Sequence, residues 1–344
     1  MSCGLCVRPG TRWIRSRRRA RTTRKNSRFR RTVDPALRPA SNPRMHATLL
    51  TEPYAGLQAQ ALGLAEAAGF EPQLMPITIR APWHLVSARL WPAPLRAAPL
   101  PPIPDGILLS AGGTAAVLAR ASRRPELRIV QIQHPRIDPT AFDVVVVNRH
   151  DELTGPNVIV TRTALHCATA LRLWLAGEQW AARLAHLPRP LVSVLLGGSN
   201  GRFTFGLAEA RALGAQLAGL GTGLAITPSR RTNPAVLAAL RTALPDAWVW
   251  DGTGDNPYYG LLALADAIVV TEDSVSMLSE ACATHAPVYV ARLPGHSRRI
   301  RQFTQYLIED GRVREFAGRY EPWPTQPLDD TQAAADEMRH RLGL

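Results

Sequence analysis

The chain has 344 residues, 46% hydrophobic and 20% charged, which is enough to bury a sizeable core and suggests two domains of ordinary size. Its formal charge of +14 is local: residues 1–44 carry +13 and the rest of the chain +1, so the net charge implies no polyanion-binding surface on the body. Of four cysteines only Cys3 and Cys6 are close, with no second Cys or His pair at metal spacing, and no run of eighteen apolar residues or leader-like apolar region marks a membrane span or secretory signal. Reduced thiols, no metal cofactor and a cytoplasmic setting are the expectation.

Residues 1–44, with Arg17, Arg18, Arg19 and Arg21 in one run, have too little apolar surface to offset ordering and are expected to be disordered. Three readings of this segment stay open: an organellar transit peptide, a nucleic-acid-binding tail, or an upstream extension of a protein that starts at Met45. Elsewhere nucleic acid is not an expected partner.

From Met45 short apolar runs alternate with helical ones. Strands are predicted at 47–50 and 73–77 with a helix at 56–68 between them. Residues 80–105, rich in Pro, Trp and Arg, fit little beyond a short helix near 83–91. A strand at 107–110, a glycine turn at 111–114 and a helix at 115–121 follow, then strands at 129–133, 142–147 and 158–161. A helix over 168–187 ends at Pro188 and Pro190, which stop it and set a domain boundary. The alternation restarts with strands at 192–196, 224–227 and 247–250 separated by helices at 205–220 and 234–243. A strand at 267–270, a helix at 275–282 and a strand at 287–291 form a βαβ module, and helices at 297–309 and 331–342 close the chain. Alternation of this kind predicts α/β architecture: a first Rossmann-like domain at 45–165, a linker helix at 166–190, a second Rossmann-like domain at 191–325 and a trailing helix at 326–344.

Four loops of the second half would share the carboxyl edge of one sheet, where open α/β sheets bind ligands. Gly197, Gly198, Ser199, Asn200 and Gly201 form a strand-to-helix turn in which glycines permit positive φ and close backbone approach, and the following helix amino end favours an anion such as a diphosphate. Ser229, Arg230, Arg231 and Thr232 offer fork-shaped hydrogen bonding to phosphate, or a solvated pair. Asp251, Gly252, Thr253, Asp255 and Asn256 could read a base or a sugar, and supply too few fixed oxygens for a metal. Asp273, Ser274, Ser276, Met277, Ser279 and Glu280 lie at the turn and helix of the βαβ module, where Ser276, Ser279 and Glu280 fall within one turn and could converge on a ribose diol. Ser274 could equally be only a helix cap and Glu280 only a solvated charge.

The combination of Gly197-Gly-Ser-Asn-Gly201, the Ser-Arg-Arg-Thr loop, the Asp251 to Tyr258 loop and Asp273 to Ala281 resembles the bacterial members of the mitochondrial-fission ELM family, regarded as glycosyltransferases of the GT-B fold. The glycine turn and the Ser-Glu helix are also similar to the lipid-intermediate N-acetylglucosaminyltransferase of cell-wall synthesis. The resemblance covers residues 45–344 and is strongest beyond Pro190. It implies two Rossmann-like domains facing a cleft, a C-terminal helix crossing back to the first, a nucleoside-diphosphate sugar on the second half and an unidentified acceptor, a cell-envelope glycan or lipid, on the first. No metal is implied; peripheral contact with the inner membrane is. The family's Thr-Asp-Gly-Lys-x-Gly loop is replaced by Thr51-Glu-Pro-Tyr-Ala-Gly56, and Lys25 is the one lysine of the chain. Glu272 and Glu280 have the spacing of the two-glutamate motif of retaining glycosyltransferases, a spacing common by chance. A general base for an inverting transfer would come from the first half, with Glu52, His134 and His150 as candidates at strand ends. The alternative is a non-catalytic scaffold in membrane dynamics that keeps the fold.

Overall fold

The computed structural model describes residues 45–344; the arginine-rich segment expected to be disordered lies outside the described residues. The first lobe holds β1 (His46–Thr51), α1 (Ala55–Ala67), β2 (Glu71–Pro76), α2 (Pro94–Ala97), β3 (Gly106–Ala111), α3 (Gly113–Ala121), β4 (Leu127–Ile132), β5 (Val144–Asn148) and β6 (Val158–Thr161). Its strands form one parallel sheet in the order β2-β1-β3-β4-β5-β6. After α4 (Ala170–Leu184) the second lobe runs β7 (Leu191–Leu196), α5 (Leu207–Ala218), β8 (Gly223–Pro228), α6 (Pro234–Ala243), β9 (Trp248–Val249), α7 (Tyr258–Leu264), β10 (Ala267–Thr271), α8 (Val275–Cys282), β11 (Val288–Ala291), α9 (Arg298–Glu309) and β12 (Val313–Glu315). These strands make a second parallel sheet, ordered β12-β11-β10-β7-β8-β9.

The central strands are apolar on both faces because helices cover both, as parallel sheets require. Val144 to Val147 and Ala267 to Val270 are buried throughout. The sheet orders fix where a ligand crevice can open. Strand order reverses between β1 and β3 in the first lobe and between β7 and β10 in the second, and helices on opposite faces splay apart at those two places.

The last helix, α10 (Thr331–Leu342), returns to the first lobe, as the resemblance implies. Ala334, Ala335 and Met338 enter the core beneath β1 and β3, and Arg339 donates to the Ala68 carbonyl at 2.8 Å. Along the seam, Arg172 pairs with Glu66 at 3.2 Å, Arg149 with Asp310 at 2.7 Å, and Arg299 with Asp151. Thus the residues after β5 lie along α9, Asp151 meeting its amino end and Arg149 its carboxyl end, and the ligand-binding edges of both sheets border one cleft.

Three segments differ from expectation. The helix expected near 83–91 is two 3-10 turns, Trp83–Leu85 and Ala88–Leu90, because Val86 and Ser87 are extended and Trp91 turns inward to donate to the Val86 carbonyl at 3.1 Å. Helix α7 replaces the end of an expected loop, its first amide received by Asn256 Oδ1 at 3.0 Å. Strand β12 extends the second sheet beyond β11 through only three residues, too few to show a period.

Candidate functional site

At the β7/β10 reversal the polar triplet Thr271, Glu272, Asp273 ends β10 and sends its side chains in different directions. Thr271 Oγ1 accepts from the Gly197 amide and donates to Asp273 Oδ1, each at 2.7 Å. Asp273 Oδ2 accepts from the Gly198 amide at 3.1 Å and from Arg231 Nη2 at 2.8 Å, and the Asp273 side chain is wholly buried. From the β8 end, Thr232 Oγ1 donates to the Gly197 carbonyl at 2.5 Å and accepts from the Ser229 amide at 2.9 Å. Three loops are thereby bolted into one clasp.

The clasp explains the glycines differently from the sequence. Neither Gly197 nor Gly198 adopts a left-handed φ; a Cβ at Gly197 would overlap the Asp273 carboxylate and one at Gly198 the Arg231 carbonyl. Close approach within the protein is what demands them. Asn200 Oδ1 accepts from the Arg202 and Phe203 amides at 2.9 and 3.0 Å, and Ser199 Oγ from Phe205 at 2.9 Å, so these side chains also shape the loop. Helix α5 does not follow the turn directly, and the Gly206 amide at its amino end is met by Glu209 at 2.8 Å. Glu209 thus takes one amide of that helix end, where the sequence reading expects an external anion. Among the described residues the amides of Ser199 and Gly201 meet no acceptor, and the exposed Arg202 and Arg230 pair with no acid.

Farther along the edge, Asp251 Oδ1 accepts from the Thr253 amide and hydroxyl at 2.9 and 2.7 Å, bonds that hold its carboxyl below the usual range. Gly252 and Gly254 do take left-handed φ values, 90° and 67°, which a side chain would strain. Asp255 pairs with Arg183 of α4 at 3.0 Å. Between this loop and α4 opens a cavity of about 480 Å³ lined by Trp180, Trp248, Trp250, Asp251 and Thr253.

On α8, Ser274 caps the helix by accepting from the Met277 amide at 3.3 Å, and Met277 packs against the core. Ser276 lies against Gly56 of the first lobe, where a Cβ would stand 2.7 Å from its hydroxyl oxygen. Ser279 donates to Val275 and accepts from the Ala164 amide, both at 2.9 Å, so it ties the lobes together and does not converge with Glu280 on a ligand. Glu280 is buried. Its Oε2 accepts from the Tyr258 hydroxyl at 2.5 Å, and among the described residues Oε1 accepts from none. Burial pushes the Glu280 carboxyl up to about 7, against the smaller opposing effect of the Tyr258 hydrogen bond, and burial likewise raises Tyr258. Nothing in the sequence links Tyr258 to Glu280; only the packing of α7 on α8 does.

Glu272 turns the other way. Its Oε1 meets Arg292 at 2.5 Å, Arg292 also meets Glu315 at 2.5 Å, and the buried Oε2 has no partner among the described residues. Glu272 and Glu280 thus engage different partners, and their spacing does not make them a pair.

The three first-lobe base candidates separate clearly. Glu52 Oε1 accepts from the Thr114 amide at 3.2 Å, serving as the anionic cap of α3. His150 is buried edge-on against Phe303, and burial together with Arg299 pushes its pKa down to about 4. His134 is half-buried at the end of β4; its Nδ1 accepts from the Arg136 amide at 3.0 Å, and burial, Arg136 and Arg299 lower its pKa. Of the two histidines His134 alone is partly exposed, and its Nε2 has no protein partner among the described residues, whereas the unpartnered Nδ1 of His150 is buried. Among the described residues no three of His, Cys, Asp and Glu gather as a metal site would require, and no helix is long and apolar enough to cross a membrane.

A family profile described as mitochondrial fission ELM1 matches residues 55–342. The chain is 34% identical over 271 residues to the mitochondrial fission protein ELM1 of Arabidopsis thaliana, covering 69% of this chain and 64% of that protein, and so spans under two thirds of the plant relative. It is 25% identical over 289 residues to an uncharacterized protein of Rickettsia prowazekii, covering 70% and 81% of the two chains. Among solved structures it is similar to S. aureus MnaA in complex with UDP, with TM-score 0.53, 12% identity and coverage of 87% and 98%. It is similar also to TcCGT1 in complex with UDP, with TM-score 0.50, 12% identity and coverage of 86% and 90%. At these identities the likeness is one of fold, the two-lobed, GT-B-like α/β arrangement.

Proposed function

Because this chain belongs to the mitochondrial fission ELM1 family, we propose that it binds a nucleoside-diphosphate sugar on the edge of its second sheet and transfers the sugar to an acceptor held by the first lobe. The observation that carries the reading is the unspent chemistry beside the clasp. Among the described residues Arg230 has no acid partner and the amides of Ser199 and Gly201 no acceptor; they belong to the loops after the paired strands β8 and β7, beside the reversal point, where a diphosphate would be met by a cation and two N–H donors. The solved structures of similar fold that contain UDP support nucleotide binding in general. The tryptophan-lined cavity beside Asp251 suits a base or sugar face, and Glu280 Oε1 suits a ribose hydroxyl.

For an inverting transfer, an acceptor hydroxyl attacks the anomeric carbon while the bond from that carbon to the diphosphate oxygen breaks. His134 Nε2 takes the hydroxyl proton, and Arg230 and the two amides stabilise the departing diphosphate charge. A specific observation favours a second reading, a scaffold without catalysis: Glu52 fills the amino end of α3, the corresponding anion site of the first lobe.

Thermal shift of the full chain with uridine, guanosine, adenosine and cytidine diphosphate sugars separates the two. The transferase reading predicts that one nucleoside series raises the melting temperature, and release of free sugar or nucleoside diphosphate from the stabilising donor then reports turnover. A flat response across all four supports the scaffold. The ribose role of Glu280 has its own signature: charge-assisted acceptance needs the ionised carboxylate, so affinity for the stabilising nucleotide should rise as pH passes upward through about 7. A 2′,3′-dideoxy analogue should lose that pH dependence.

A further inference from the structure

The segment between β2 and β3 covers the outer face of α3 with its inward residues and leaves its outward ones without a protein partner among the described residues. Trp91, Ala97 and Ala98 are buried against Ala115, Ala116 and Leu118 of α3. The same turns present Leu85 at 77%, Leu90 at 67%, Val86 at 41% and Leu95 at 39% exposure. Four large apolar side chains within eleven residues form a patch whose hydration is costly unless something covers it.

The charge around the patch says what that cover is. Arg80, Arg89 and Arg96 are exposed among these leucines, and from residue 72 to residue 104 the sequence holds no Asp or Glu. A protein partner of ordinary composition would not require so long an acid-free stretch. A bilayer rich in anionic lipid does, because apolar side chains enter the acyl boundary while guanidinium groups remain among the phosphates. The turns are also stiff, with prolines at 82, 92, 94, 99, 101, 102 and 104, so little ordering entropy opposes docking. We propose that this face of the first lobe docks on an anionic membrane surface, Leu85 and Leu90 inserting and Arg89 and Arg96 contacting lipid phosphates.

The inference stands independently of nucleotide binding, which concerns the other lobe. A second exposed apolar set, Leu171, Trp174 and Leu175 on α4, lacks this charge pattern: its neighbour Arg172 is engaged with Glu66, and Glu178 lies one turn on. It serves as the comparison. Co-sedimentation of the full chain with vesicles of equal parts phosphatidylglycerol and phosphatidylcholine tests the proposal. Residues 1–44 bring their arginines to every variant alike, so differences among variants report the body. At about physiological salt, where the electrostatic part is screened beyond ~8 Å, Leu85→Ser with Leu90→Ser should lower the partition coefficient at least tenfold. Arg89→Ser with Arg96→Ser should lower it roughly 25-fold, about fivefold per arginine near an anionic surface, while Leu171→Ser with Leu175→Ser stays within twofold of the parent. Circular dichroism of these surface variants confirms that each is folded. Binding of the Leu85/Leu90 variant within twofold of the parent, loss confined to the α4 variant, or a parent that does not sediment with vesicles would each overturn it.

Discussion

The two reversal points of the molecule use one device to different ends. In the first lobe Glu52, just after β1, reaches the glycine turn after β3 and accepts from Thr114 at the amino end of α3. In the second, Asp273, just after β10, reaches the glycine turn after β7 and accepts from Gly198. Each crevice, open to an external anion by topology, therefore contains a carboxylate of the protein itself. The difference lies in compensation. Glu52 is half-buried and has no cation partner among the described residues, whereas Asp273 is wholly buried and receives Gly198, Thr271 and Arg231 together. A carboxylate held by two neutral donors and a cation is part of the frame, and a ligand phosphate must be met beside it. Arg231 is consumed in that frame and Arg230 is left over.

The largest expected effect breaks the second device. Asp273→Ala orphans the Gly198 amide and the Thr271 hydroxyl and leaves Arg231 without its partner, and should lower unfolding free energy by about 3 to 5 kcal/mol in denaturant titration. Gly198→Val should also destabilise, because its side chain meets the Arg231 carbonyl before any ligand arrives. Next comes Glu280, another buried carboxylate of the second lobe, with one neutral donor and no cation among the described residues. Its folded pKa of about 7 lies above the unfolded value near 4.5, so the folded state holds this proton more tightly. The associated stability is fully present below the unfolded value and is lost as pH rises through about 7. Glu280→Gln keeps the acceptor for Tyr258 and removes the titration. The variant should exceed the parent by on the order of 3 kcal/mol at pH 8 and show no such advantage at pH 4. Equal pH profiles for parent and variant would show that the carboxyl is not buried in this way. The smallest stability effect belongs to the first device: Glu52→Ala should cost about 1 kcal/mol, the loss of a helix cap, in the same titration.

Much of this was legible in the chain. Val275–Cys282, Pro234–Ala243 and Thr331–Leu342 have the helix bounds read from caps, prolines and periodicity, and apolar β-branched runs located eleven of the twelve strands to within two residues or so. What the sequence did not show is which polar groups spend themselves on one another. Arg230 and Arg231 are indistinguishable in sequence, and only the strand register that brings β8 beside β7 hands Arg231 to Asp273. Ser279 looked like a ligand group because a helix aligns it with Glu280, yet its hydroxyl is taken by Ala164, 115 residues away. The Thr271-Glu-Asp triplet after an apolar strand reads in the sequence as turn and ligand chemistry, and in the structure it is a hub, because three consecutive polar side chains at a strand end must find partners on more than one side.

The central claim is that the ligand phosphate is met by what the clasp leaves free. Isothermal titration of the nucleoside diphosphate chosen by the thermal screen into the parent and into Arg230→Ala tests it most directly. Loss of a charge-assisted contact of about 1.5 to 3 kcal/mol should weaken binding by roughly one to two decades. The melting temperature should stay where it is, since Arg230 is exposed and unpaired among the described residues. An Arg230→Ala protein that binds the diphosphate as tightly as the parent would contradict the claim.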